Sequence, residues 1–539
     1  MPGVRMMSAA VPARRRLPRA GERFDVAVLG SGFAGSLTAI ALRRLGRSVV
    51  LIERGAHPRF AIGESSSPLA NLLLEELCDR YSLDRIRPLS AWGSWRRERP
   101  ELACGLKRGF TFYAHRVGES FRRDPDRRDQ LLVAASPCDE VADTHWYRAD
   151  FDAFLAAEAE REGAVHLDRT RVERVDAGAN GGELAIERDG ARRTIRATLL
   201  VDASGPSGAL ARTLGVPVGS FERYPETETL YTHFEGVKRL DASDEFASPN
   251  APYPIDDAAV HHVFDGGWIW VLRFSNGVTS AGVAAESSLA RELAFADGAA
   301  AWERLLGRLP SVRSQFANAR ALMPFTHRPR LSYRVGRAAG PGWVMLPSAA
   351  AFVDPLLSTG FPLTLLGIER LARAVEESWD GPELGLRLEE LGRTTLAEAD
   401  AAARLTAGLF ACFGDFPAFA LLTRLYFAAA SYAESARRLG RPERARAFLL
   451  HDDPVFGPAL RRLCDAACDP DPVVRRAAAE RVRGVIEPFD VIGLNDESRR
   501  NWYPVDVQDL IAARHKLGAT AEEIELMLER TGMAGAAKP

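Results

Sequence analysis

The chain holds 539 residues, 46% of them hydrophobic and 26% charged, and its formal net charge is −2. That length suits two or three domains with a sizeable core, and the composition is ordinary for a soluble globular protein. The near-neutral balance gives no field to gather nucleic acid or an anionic membrane, and no apolar run reaches the length of a bilayer span.

Residues 1–23 are basic and rich in Pro and Ala, with no apolar stretch of signal-peptide length, and read as a disordered lead-in. From Phe24 the pattern becomes a β-α-β unit. Asp25–Leu29 is an apolar strand, and Gly30, Gly32 and Gly35 form a G-x-G-x-x-G turn. Ala34, Leu37, Ala41 and Leu45 give a helical stripe, and Val49–Ile52 is a second strand ending at Glu53. The glycines allow a tight turn, close approach to a pyrophosphate and close helix–strand packing, while the helix N-terminus offers free N–H groups. Glu53 is placed to accept hydrogen bonds from a ribose. Together these predict a dinucleotide site.

Further along, PLANLLLEELCDRY reads as a helix and CGLKRGFTFYAHR as a strand with alternating apolar residues. Residues 117–130 read as a charged surface loop, and Tyr147–Arg148 precede a helix striped by Phe151, Leu155, Ala156 and Ala159. TLLVDASGPSG is a strand running into a second glycine turn that contains Asp202. Residues 221–334 are strand-rich, with Ser275-Asn276-Gly277 as a hairpin turn, and predict one antiparallel sheet lining a substrate cavity. The segment 335–378 returns to the first domain, and 379–539 is helical, with a Thr520–Glu523 capping box. The expected architecture is α/β: a Rossmann-like dinucleotide-binding domain (24–220 and 335–378), the β-sheet domain (221–334) and a helical C-terminal region (379–539).

Cys78, Cys104, Cys138, Cys412, Cys464 and Cys468 are scattered. Cys464 and Cys468 share a helix face but have no histidine at ligand spacing, so no metal site is expected. The cytoplasm is the default location.

The order of parts resembles the flavin-dependent halogenases, within the flavin monooxygenases that share the hydroxybenzoate-hydroxylase type of FAD domain. The glycine loop with Glu53 is one basis for this. His57–Ser65 (HPRFAIGES) looks like the family's P-R-x-x-I-G-E-S segment, and Lys107 in KRGFTF is similar to the lysine of the branch acting on phenols, pyrroles and carrier-bound substrates. Phe352–Gly360 (FVDPLLSTG) looks like the segment beneath the isoalloxazine ring. The resemblance implies FAD, used as FADH2, held by Gly30, Gly32, Phe33, Ala34, Gly35, Glu53, Arg54, Ser65, Arg148, Asp202, Ser348, Asp354 and Gly360. It implies a halide near Ser358, Thr359 and Gly360, catalytic roles for Lys107 and Glu64, and substrate lining by Trp268 and Trp270. Lys107 would hold or carry electrophilic halogen to an electron-rich aromatic substrate, free or carrier-bound. No second nucleotide-binding unit of comparable strength follows, so a separate flavin reductase is the expected partner.

Two departures from the family pattern stand out. Leu272-Arg273 replace the Ile-Pro that ends the W-x-W-x-I-P motif, and Pro347-Ser348 stand where Gly-Asp usually binds the ribityl chain. Serine keeps a hydrogen bond there but supplies no charge, and proline removes a donor. A monooxygenase or dehydrogenase of the same fold, or a non-catalytic relative with weakened flavin binding, therefore stays open at this point.

Overall fold

The computed structural model describes residues 17–178 and 181–533, so most of the basic lead-in lies outside the described residues. In chain order the main elements begin with β1 (Glu22–Leu29), α1 (Phe33–Arg44), β2 (Val49–Ile52), α2 (Pro68–Tyr81), β3 (Cys104–Lys107) and β4 (Gly109–Ala114). Next come β5 (Gln130–Ala134), β6 (Asp143–Trp146), α3 (Arg148–Arg161), β7 (Val165–Leu167) and β8 (Ala191–Asp202). The sheet domain adds β9 (Thr227–Glu235), β10 (Ala259–Phe264), β11 (Gly267–Arg273) and β12 (Thr279–Glu286). The chain ends through β13 (Trp343–Met345), α4 (Gly360–Ser378), α5 (Leu384–Ala411) and α6 (Phe416–Arg438), followed by shorter helices.

The first sheet is parallel at its centre. β1 lies between β8 and β2, β7 pairs with β2, and β13 pairs with β8. The last four residues of β1 and all of β2 are buried, as strands covered on both faces require. The glycine turn therefore opens at the carboxyl edge of the central strand, where open α/β sheets bind ligands. Residues 343–345 return to this sheet beside Leu200–Asp202.

The second sheet is larger than the strand-rich stretch 221–334. Its core order is β9, β12, β11, β10, β4, β5, so two strands come from residues 109–134. β10 and β4 are parallel neighbours, which makes the sheet mixed rather than antiparallel throughout. Trp502–Tyr503, from the helical region, adds a parallel strand at the β5 edge. The segment CGLKRGFTFYAHR is two strands, not one. β3 pairs with β6 in a separate ribbon, and Arg108 breaks the run by donating its N–H to the carbonyl of Asp257.

One face of the second sheet packs on the flavin-type domain and the C-terminal helices, and the other is covered by helices within 299–316. On that outer face His115 Nε2 lies 2.9 Å from His262 Nδ1, and His262 Nε2 lies 3.0 Å from Gln315 Oε1. Burial pushes His262 down to about 4. Its folded value is depressed, so its contribution to stability is present above the unfolded value of about 6.5 and is lost as pH falls below it. Relative to the wild type, His262→Gln should gain about 1.4 kcal/mol per pH unit between about 6.5 and 4. Parallel melts across that range test this; identical pH dependence of the two proteins would mean that His262 titrates normally.

Candidate active site

The phosphate loop is built as its glycines require. Gly30 has φ +98°, and a Cβ there would lie 2.7 Å from the Ala203 carbonyl oxygen; a Cβ on Gly35 would lie 1.8 Å from that of Gly30. Gly32 faces side chains instead: a Cβ would sit 3.6 Å from a guanidinium nitrogen of Arg148 and 3.6 Å from one of Arg59. Two cations thus flank the start of α1. Phe33 N–H donates to Asp152 Oδ1 (3.2 Å), and Arg148 grips both Asp152 oxygens at 2.8 Å while donating to the Gly63 carbonyl at 2.9 Å. Phe33 and Ala34 are buried.

Glu53 Oε2 accepts from Ser31 N–H (3.0 Å), Oε1 accepts from Gly55 N–H (2.7 Å), and Arg59 lies 3.5 Å away. Burial raises its carboxyl pKa, but these two amides and Arg59 outweigh that and hold it below the ordinary value. Arg54 is exposed and reaches Ser207 in the second glycine turn. Three buried nitrogens at this end, His57 Nδ1, Arg59 Nε and His166 Nε2, have no partner among the described residues. A glycine cradle, two arginines, an acid and unmatched nitrogens fit the pyrophosphate and adenosine of FAD.

Asp202 is engaged locally: its oxygens accept from Ser204 N–H (2.9 Å) and Leu210 N–H (2.6 Å), and so shape the second glycine turn. Ser348 opens a short helix (Pro347–Ala350), and its carbonyl accepts from Tyr333 OH at 2.6 Å. Pro347 is accommodated by Gly367 of α4, where a Cβ would lie 2.4 Å from the proline ring.

Lys107 is where the separate motifs meet. The segment after Gly63 (φ +89°) runs along β6: Trp146 N–H donates to the Glu64 carbonyl (2.6 Å), Ser65 bridges to His145, and Ser66 N–H donates to the Thr144 carbonyl (3.2 Å). β3 pairs with the same β6, so Lys107 emerges beside that segment. Its Nζ donates to Ser65 Oγ (2.9 Å), to the Ser66 carbonyl and to Ser358 Oγ (3.3 Å), and lies 3.8 Å from the centroid of the Phe110 ring. Three donors meet three acceptors, and the side chain is fully buried.

The loop carrying Ser358 is held in an unusual shape. Leu357 (φ 65°) and Ser358 (φ 56°) are consecutive left-handed residues without being glycine, a strain that only surrounding contacts sustain. Asp354 supplies them: Oδ1 accepts from Leu356 N–H (2.9 Å) and Trp268 Nε1 (3.2 Å), and Oδ2 accepts from Tyr224 OH (3.1 Å). Burial pushes the Asp354 carboxyl up to about 7. The loop delivers Thr359 as the N-cap of α4, with Gly360 and Phe361 next. First-turn N–H groups have no partner inside a helix, and this end carries the positive pole of a 19-residue dipole.

Trp268 and Trp270 share a face as expected, yet both indole nitrogens are engaged inside the core. Trp268 bonds Asp354, and Trp270 Nε1 bonds Ser280 Oγ at 3.3 Å. Trp268 therefore ties the second sheet to the loop of Ser358. Glu64 is buried, and its Oε1 pairs with His233 Nε2 at 2.9 Å rather than with Lys107. α6 closes the site: Tyr426 and Phe427 pack against Phe110 (centroids 6.1 and 5.3 Å), and Phe419 packs against Phe112 (5.7 Å).

Sequence reasoning missed Arg59, Tyr224, His233, Asn71 and Asp143. Asn71 carried a legible signal as a polar residue inside the apolar run of α2, where it is buried. His233 stands likewise among apolar neighbours in a strand.

The family of FAD dependent oxidoreductases matches residues 25–353. The chain belongs to this family. Within it, the chain sits with the flavin-dependent halogenases, as the four motifs implied, and FAD is its cofactor. It is 28% identical to tetracycline 7-halogenase of Kitasatospora aureofaciens, over 94% of this chain and 97% of that one. It is also 28% identical to monodechloroaminopyrrolnitrin halogenase PrnC of Pseudomonas fluorescens, over 75% of this chain and 70% of PrnC. The crystal structure of halogenase PltM in complex with phloroglucinol and FAD shares the fold, with TM-score 0.76 over 88% of this chain and 99% of PltM at 22% identity. No helix among the described residues is long and apolar enough to cross a membrane.

Proposed function

We propose that this protein halogenates an electron-rich aromatic substrate in the cytoplasm, using FADH2 from a separate reductase, O2 and halide, with Lys107 delivering the halogen. The observation that carries this reading is the convergence on Lys107 Nζ of the I-G-E-S segment and the S-T-G loop. Bound FADH2, with O2 and halide, supplies hypohalous acid. The chain's own residues do the rest.

Arg148, Arg59 and the start of α1 bind the pyrophosphate. Thr359 and Gly360, at the positive end of α4, hold the halide beside Ser358. Lys107, as a neutral amine, accepts halogen from hypohalous acid: the N–halogen bond forms, the O–halogen bond breaks, and the nitrogen's proton leaves in water. Transfer to the ring carbon then breaks the N–halogen bond, and the ring proton passes to the nitrogen, which restores the amine. Phe110 and the α6 aromatics keep water from the electrophile. Among the relatives, the brominase of Pseudoalteromonas luteoviolacea acts on a pyrrole held by a peptidyl-carrier protein, so carrier-bound as well as free aromatics belong in the substrate screen.

Incubation with a flavin reductase, NADH, bromide and a phenol and pyrrole panel, read by mass spectrometry, tests the reading. Hydroxylated products in place of halogenated ones would make the protein a monooxygenase. For the ribityl end, Ser348→Asp is expected to tighten FAD about tenfold by adding a charge-assisted bond, measured by flavin fluorescence. Unchanged affinity would mean that Ser348 does not face the ribityl chain.

A further inference from the structure

Asp143 stands directly across the β3–β6 ladder from Lys107, yet the lysine gives its hydrogen bonds to Ser65, Ser66 and Ser358. Asp143 is instead bonded to α2, where Asn71 Nδ2 donates to its Oδ1 at 3.1 Å. The other oxygen of each partner, Asp143 Oδ2 and Asn71 Oδ1, is buried without a hydrogen-bond partner among the described residues. Two acceptors facing an apolar interior are costly, and a carboxylate left that way is costlier still. One proton on Asp143 Oδ2 resolves both, because a carboxylic acid and a primary amide close a two-bond ring in which each donates once.

We propose that Asp143, buried and paired with Asn71, rests as a neutral carboxylic acid, which leaves Lys107 without a counter-ion and lets it lose its proton to become the amine that takes halogen. Asp143 and Asn71 are then positioning residues that act through Lys107. The inference rests on the reading of Lys107 as halogen carrier. Burial moves both groups in the required directions, pushing the Asp143 carboxyl up and the Lys107 ammonium down. The other charges facing Asp143 are Glu434 and Arg438 of α6, which pair with each other at 2.8 Å and act on it in opposite senses. His145 and His261 face Lys107, and burial keeps both low.

The sequence contains four lysines, Lys107, Lys238, Lys516 and Lys538, so a lysine-labelled sample gives few side-chain NMR signals. Titrating them in the full-length protein reads the protonation of Lys107 without any turnover. The expected midpoint for Lys107 lies well below the value of about 10.4 for a free lysine. Asp143→Asn preserves the two-bond ring and should leave the midpoint in place. Asn71→Asp replaces the amide with a second carboxyl; the two carboxyls share one proton and keep one negative charge beside Lys107, which should raise the midpoint by about one unit or more. Adding Asp143→Asn to Asn71→Asp restores an acid–amide pair in the opposite order and should bring it back, which a merely structural defect would not do.

A midpoint that falls in Asp143→Asn would show that Asp143 is an ionised counter-ion, and would overturn the proposal. So would an Asn71→Asp midpoint equal to that of the wild type. A low midpoint in a protein that makes no halogenated product would instead overturn the reading of Lys107 as carrier while leaving its pairing intact.

Discussion

Lys107→Met is expected to lower the rate of halogenated product formation by roughly 10²–10⁴-fold, the span of a lost side-chain catalyst, while FAD remains bound. Methionine keeps the unbranched stem in its buried slot, so the substitution removes the nitrogen with little change in volume. What disappears is the group that Ser65, Ser66 and Ser358 hold in place. Lys107→Arg separates two kinds of help. A guanidinium still donates hydrogen bonds but stays charged at any working pH, so it cannot accept halogen as a free base. Both variants should therefore be inactive in single turnovers with reduced FAD and bromide, read by mass spectrometry. Wild-type product yield from the arginine variant would reduce the role of Lys107 to hydrogen bonding.

Arg148→Ala is expected to weaken FAD by about 30–100-fold, or about 2–3 kcal/mol, measured by equilibrium flavin fluorescence. Arg148 neutralises Asp152, which is fully buried and accepts the first N–H of α1. Without the guanidinium, a bare carboxylate occupies the end of the helix where the pyrophosphate must come, and repulsion adds to the lost bond. Asp152→Asn in the same chain should recover part of the loss, because it removes the repulsion without restoring the cation. Wild-type affinity in Arg148→Ala would remove this arginine from the cofactor site. Together with the Lys107 variants, the pair separates cofactor binding from halogen delivery.

The sequence by itself determined the nucleotide-binding unit, because its signals are local. Gly30 and Gly35 leave no room for a side chain, β2 is apolar throughout, and Glu53 closes the strand, so short-range sterics and burial decide the geometry. The resemblance of HPRFAIGES, KRGFTF and FVDPLLSTG to the halogenases also picked out Lys107, but not how its surroundings are made. The tertiary structure alone decided that the strand read as continuous breaks at Arg108, and that two strands before residue 135 join the second sheet. It also turned Asp202 to its own backbone, linked Trp268 to Asp354, and set Asn71 and Asp143 beside Lys107. The reason is physical: a buried polar atom must find its partner wherever the packed chain brings one, and apart from the local bonds of Asp202 those partners lie dozens to hundreds of residues away, beyond the reach of any local pattern.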